Sequence, residues 1–90
     1  MNKVERSYKY VKVIAEQNNI ILSFITEDLE YRFSNKYNRA EMDDFDKNVI
    51  ELALTAVAQG GALNIIGYYE GDRPDAGGPL SIESVSVKVG

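Results

Sequence analysis

Few side chains in this 90-residue sequence could do chemistry, and two absences narrow them further. There is no histidine and no cysteine. Without a thiolate the chain has no disulfide, zinc-thiolate site or cysteine nucleophile. Without an imidazole it lacks the usual general base and the commonest metal ligand. Serine–histidine triads, zinc hydrolase sites and histidine-ligated haem are therefore excluded, and the chain is expected to be neither an enzyme nor a cofactor carrier. A metal-dependent reaction carried by carboxylates alone is the one enzymatic route left open.

The densest carboxylate cluster is Glu41, Asp43, Asp44 and Asp46. It lacks the D-x-D-x-D-G spacing of a calcium loop, and its place at the start of a helical pattern suits the helix dipole. No metal site is expected. Asp72, Arg73 and Asp75 lie in Gly71–Pro79, a loop with three glycines and two prolines. At nine residues it is longer than a hairpin needs, which makes it a candidate contact loop. Six tyrosines stand at 8, 10, 31, 37, 68 and 69. Tyr68 and Tyr69 are adjacent on a strand pattern, so they point to opposite faces. Tyr69, with Tyr8 or Tyr10, is then expected to form an aromatic platform for a sugar, a base or a protein partner. The candidate binding set is Tyr8, Tyr10, Tyr69, Asp72, Arg73 and Asp75. Gly60-Gly61 and Gly77-Gly78 are not phosphate loops, because no Gly-Lys-Ser/Thr follows them.

The elements that must position these residues can be read from periodicity. Residues 1–7 are polar and mixed in charge, and are expected to form a flexible arm. Tyr8–Ala15, Ile20–Thr26 and Leu29–Ser34 alternate as strands, with Asn18-Asn19 and Glu27-Asp28 as turns. Asn38 is a candidate N-cap, with Glu41 completing a capping box. Met42, Phe45, Val49, Leu52, Ala53 and Ala56 follow at spacings of three and four, the stripe of an amphipathic helix that stops at Gly60-Gly61. Phe45, Val49 and Leu52 are expected to bury against Leu22, Phe24, Leu63 and Ile65. Ala62–Tyr69 reads as a fourth strand and Leu80–Val89 as a fifth. In the fifth, Leu80 and Ile82 share one face while Val85, Val87 and Val89 share the other, which calls for a bulge near Glu83 or Ser84.

This order, βββαββ over a single domain of residues 1–90, is that of a mainly β chain with one helix: a five-stranded OB-like Greek-key barrel whose mouth the helix plugs. An open sheet with the helix packed on one side would bury the same residues. The meander of Tyr10–Phe33, the helix and Gly-Gly of Asp44–Gly61, and the closing strands Ala62–Tyr69 and Ile82–Val89 resemble the small OB-fold B-subunits of pentameric bacterial toxins and their secreted relatives. The nearest local likeness is Val49–Ile65, a helix rich in Leu and Ala running through Gly-Gly into a strand. The resemblance implies the fold, self-association and a glycan-binding role. Those subunits are exported and commonly carry a disulfide, and this sequence shows neither a leader nor a cysteine.

Net charge is −4, unevenly spread. Residues 1–36 hold six basic against five acidic residues, whereas 37–90 hold four against nine. The acidic half repels phosphate backbones and argues against duplex nucleic acid. No apolar run is long enough for a membrane span. Met1–Tyr8 lacks the apolar core of a signal peptide, so as written the chain is expected in the cytoplasm, and outside the cell if a leader was removed. The function these features support is a non-enzymatic binding and assembly module, a self-associating barrel with a glycan, another polar ligand or a protein partner. Two alternatives stand beside it: a single-stranded nucleic-acid binder using Tyr10, Lys12 and Arg32, and a small acidic bacterial or phage protein that inhibits a partner.

Overall fold

The structure, a computed structural model, describes residues 1–89. It begins with its longest strand, β1 (Asn2–Ala15), which is shared by two neighbours. From Asn2 to Tyr8 it pairs with β4 (Ala62–Tyr69), and from Tyr8 to Ala15 with β2 (Asn19–Thr26), antiparallel in both cases. Residues 2–7, expected as a loose polar arm, are thus half of a central strand. Their polar side chains misled because only Val4 of the six is buried. The change of partner happens at a bulge. Tyr8 sits opposite Thr26 and Tyr10 opposite Ile25, which leaves Lys9 as the extra residue. An inserted residue moves every later side chain to the other face. Val4 and Tyr8 point into the core before it, and Val11 and Val13 pack against the core after it.

The sheet contains five antiparallel strands in the order β3-β2-β1-β4-β5, with β3 at Arg32–Asn38 and β5 at Ser81–Lys88. The chain is therefore mainly β with one helix, and its ladder stays open, since β3 and β5 do not pair. The third strand starts three residues later than the sequence pattern suggests. Thr26 and Tyr31 clamp a tight turn, with the Tyr31 carbonyl accepting from Thr26 N–H at 3.0 Å and Thr26 Oγ1 accepting from Tyr31 N–H at 3.1 Å. Leu29, inside that turn, has φ of +64° and is exposed. The inward face of β3 is then Phe33, Asn35 and Tyr37, and Leu29 falls outside it.

Asn35 is buried and works as a piece of backbone. Its Nδ2 donates to the Leu80 carbonyl and its Oδ1 accepts from Leu80 N–H, both at 2.8 Å. The loop before β5 continues this contact along β3. Arg32 N–H donates to the Pro74 carbonyl at 2.7 Å, Ser34 N–H to the Gly78 carbonyl at 2.9 Å, and Gly77 N–H to the Arg32 carbonyl at 3.2 Å. Gly77 has φ of +82°, a conformation that favours glycine. The loop is thus more than a connection. Further along, Ile82 pairs with Gly67 and Ser84 with Ile66, so Glu83 is the bulged residue, within the expected stretch. Gly67 makes room for it: a Cβ there would come within 2.6 Å of the Ser81 carbonyl oxygen.

The helix α1 (Asp44–Gln59) lies against β1, β4 and β5. Its N-cap is Asp43, five residues beyond the candidate Asn38. Asp43 Oδ1 accepts from Asp46 N–H at 2.8 Å, and Asp46 reaches back to Asp43 N–H at 3.4 Å, a capping box. Asn38 instead turns the preceding loop, its side chain accepting from Ala40 N–H at 2.9 Å. Val49, Ile50, Ala53 and Ala56 are buried, while Leu52 is half-buried. Phe45 is 42% exposed and not in the core, because the later cap leaves it in the first turn, beyond the sheet. The rest of the core is Leu22, Phe24, Phe33, Leu63, Ile65 and Leu80. Tyr8 is wholly enclosed at its centre, meeting Phe24 edge-on at 4.9 Å and Phe33 at 6.2 Å.

Two opposite effects follow. Asn35→Ala orphans both buried backbone groups of Leu80, each worth about 1–3 kcal/mol when left unpaired. Urea denaturation is expected to show a loss in that range or above it. Replacing residues 72–78 by an Asn-Gly turn should lower the melting temperature by a comparable route. Tyr8→Phe should do the reverse. Among the described residues the Tyr8 hydroxyl has no hydrogen-bond partner, so deleting it removes a desolvated polar group and is expected to leave stability equal or higher. A loss above about 1 kcal/mol in the same assay would show that the hydroxyl is paired.

Candidate functional site

The six tyrosines, sorted by strand face, divide into different environments. Tyr8 is taken out of any binding platform by its burial. Its hydroxyl is held well above the usual phenol range, chiefly by desolvation. Tyr10, two residues on and past the bulge, is 47% exposed on the outer face. Residues directly opposite in a ladder share a face, so Tyr10, Ile25 and Arg32 form one row across β1, β2 and β3. Lys12, Ser23 and Ser34 form the next row, tied by a hydroxyl contact of 3.2 Å between Ser23 and Ser34. The structure thus brings Tyr10, Lys12 and Arg32 onto one surface.

Tyr10 and Lys12 also line a groove of about 480 Å³. One wall is Lys9–Lys12 of β1, and the other is Ala56, Val57, Gly60 and Gly61 at the end of α1. The wall from β1 is a strand edge. Beyond Tyr8 the strand has left β4, and among the described residues it pairs only with β2. The helix wall is apolar, with Val57 52% exposed. Its end is self-contained: Gly60, at φ of +64°, caps the Ala56 and Val57 carbonyls, and Gly61 N–H donates to Ala56 at 2.9 Å. A smaller recess of about 290 Å³ adjoins at Lys9, Gly60 and Gly61 and adds Ser7, Glu27 and Lys88. Lys9 pairs there with Glu27 at 3.1 Å, which raises its ammonium pKa.

The loop residues belong to a different place. Tyr69 is half-buried, its ring 5.5 Å from Phe33, and with Tyr68, Arg73 and Pro79 it borders a recess of about 160 Å³. Arg73 is fastened to Asp75 through Nε and a second nitrogen, both at 3.3 Å. That pair holds the Asp75 carboxyl below its ordinary range. Asp72 is exposed and does not line this recess. The candidate set is therefore split: Tyr69, Arg73 and Asp75 gather at the loop, Tyr10 stands in the groove, and Tyr8 lies in the core.

Sequence reasoning missed Lys9, Ile25 and Val57 as groove residues. A signal for the bulge at Lys9 was present. The inward apolar positions Val4 and Tyr8 are even, and Val11 and Val13 are odd. Two of the acidic cluster, Asp43 and Asp46, are engaged in the helix cap, and among the described residues no group of three or more acidic side chains is placed to hold a metal ion. No helix among them is long and apolar enough to cross a membrane. Comparison with protein-family models, curated proteins and solved structures finds no match to this chain.

Proposed function

We propose that this chain is a non-enzymatic binding and assembly module built on an OB-like Greek-key barrel. The barrel reading is supported by the run of hydrogen bonds from Pro74, Gly77 and Gly78 to β3 and by Asn35 holding Leu80. These tie the loop just before β5 to the outer edge of β3. The observation that carries the binding reading is the groove between the unpaired edge of β1 and the end of α1. It combines an apolar wall, an exposed aromatic and two lysines, and its size falls in the roughly 300–1,000 Å³ span of ligand sites. Assembly is supported by the outer edge of β5, which among the described residues pairs only with β4 and which a second copy would cover. A glycan or other polar ligand would find Tyr69 and Arg73 at the loop recess.

A second reading rests on the row of Tyr10, Ile25 and Arg32 beside Lys12, a basic and aromatic surface of the kind that stacks single-stranded bases. The net charge opposes it.

Light scattering on the native protein, from micromolar to millimolar concentration, tests the assembly half. The expected mass is a multiple of 10.1 kDa. A mass that stays at the single-chain value throughout would remove that half. A labelled oligothymidylate titrated at low and high salt tests the second reading, with weak binding expected in both. Tight binding that collapses with salt would replace the leading reading by the nucleic-acid one.

A further inference from the structure

The β1 edge in the groove is chemically unspent. Between Tyr10 and Ile14 the strand pairs with β2 on one side only. In an antiparallel ladder alternate residues direct their N–H and C=O groups away from the partner, so this segment presents backbone donors and acceptors to whatever enters. The β3 edge, by contrast, is taken by the loop at Arg32 and Ser34. Resting on the reading of the groove as the binding surface, we propose that it takes an extended, acidic peptide segment of a protein partner, added to the sheet as a strand alongside Tyr10–Ile14.

Three features set the chemistry of that segment. The free edge calls for an extended backbone, since strand addition takes its affinity from main-chain hydrogen bonds. The two sides of such a strand would meet different surroundings. Side chains on one side face Val57 and Ala56 and should be apolar, while those on the other lie beside Tyr10 and Lys12. Lys12 is exposed and has no ion pair among the described residues, and Lys9 and Lys88 stand at the adjoining recess with Glu27 as its one carboxylate. Local charge is thus positive in a protein of net charge −4. Alternation of acidic and apolar residues satisfies both sides at the strand period of two.

A second copy does not supply such a segment. Most of the acidic residues of this chain lie on α1 and its approach or in turns and loops, and the edge strand β5 carries one carboxylate, Glu83, at its bulge. The partner is therefore a different chain.

The test uses a fluorescent, end-capped peptide of alternating Glu and Val, measured by anisotropy against the full chain. Its controls are the Lys-Val analogue and a Glu-Val peptide N-methylated at alternate amides. The acidic peptide is expected to bind at least about tenfold more tightly than the Lys-Val analogue, a gap of one decade in Kd. N-methylation should abolish binding, and Lys12→Glu and Val57→Asp should each weaken it about tenfold or more, with circular dichroism unchanged. Both altered residues are exposed, so the fold is expected to survive. Equal binding of acidic and basic peptides, indifference to Lys12→Glu, or full binding of the N-methylated peptide would each overturn the proposal. An oligothymidylate that binds in a Lys12-dependent way while the peptide does not would overturn it too, yet leave the groove as the binding surface. If neither probe binds, the proposal fails and the groove reading falls with it, whatever light scattering reports about assembly.

Discussion

The fold depends on one side chain imitating a peptide bond. The Asn35 amide presents a donor and an acceptor in the geometry of a backbone unit, and Leu80 uses both. Leu80 is buried and could not leave its N–H and C=O unpaired without a cost of about 1–3 kcal/mol for each. No strand reaches it there, because β5 begins one residue later. Asn35 removes the conflict, fixes where the loop meets β3, and so fixes the phase with which β5 enters its ladder. The Glu83 bulge then moves the later β5 valines, Val85 and Val87, onto the face that packs against the core.

A second irregularity does for function what Asn35 does for stability. A straight β1 could pair with β4 and β2 along its whole length only in a flat sheet. The bulge at Lys9 lets one strand serve two neighbours in succession, with Tyr8 as the last residue paired to β4. The bend carries Tyr8 into the aromatic centre with Phe24 and Phe33 and turns Tyr10 out to solvent. The edge that becomes a wall of the groove is free because β4 begins at Ala62, just past Leu63 opposite Tyr8. The two tyrosines that a plain alternation places on one face thus end up with opposite fates.

The sequence was most legible where periodicity and local chemistry agree. Ala62–Tyr69 is a short apolar run after Gly-Gly and has the expected bounds, and the phase change from Ile82 to Val85 marks the β5 bulge. Legibility failed where tertiary contacts overrule local preference. Asn38 and Glu41 have capping-box spacing, but Asp43 and Asp46 have it too, and the helix starts from the pair nearer its apolar stripe. Leu29 and Tyr31 continue an alternating pattern, yet the Thr26–Tyr31 clamp folds them into a turn. The polar stretch Asn2–Ser7 carries almost no strand signal, because its place in the sheet is held by backbone pairing to β4 and Val4 is its one buried side chain. Asn35 at an inward position could not be foreseen at all, since its partner Leu80 lies 45 residues away. The site suffered for the same reason: tyrosine count and loop composition are local, whereas the groove is made by a bend and a helix end meeting.

The allocation of charge sets the groove apart from the rest of the surface. A reactive carboxylate needs an environment that leaves it unpaired or raises its pKa, and several acids here are spent on structure. Asp43 and Asp46 cap the helix. Asp28 accepts from the Thr26 hydroxyl at 2.6 Å and from Glu30 N–H, which keeps it ionised. Asp75 holds Arg73, and Glu27 holds Lys9. Arg6 is likewise occupied, lying 4.7 Å over the Tyr31 ring while donating to its hydroxyl. Around the groove the balance is different. Lys12 and the β1 edge beside it have no partner within the described chain, and the Val57 side chain is half uncovered. Three unsatisfied features of different kinds, one ionic, one hydrogen-bonding and one apolar, converge on one surface. A single extended ligand can satisfy all three at once.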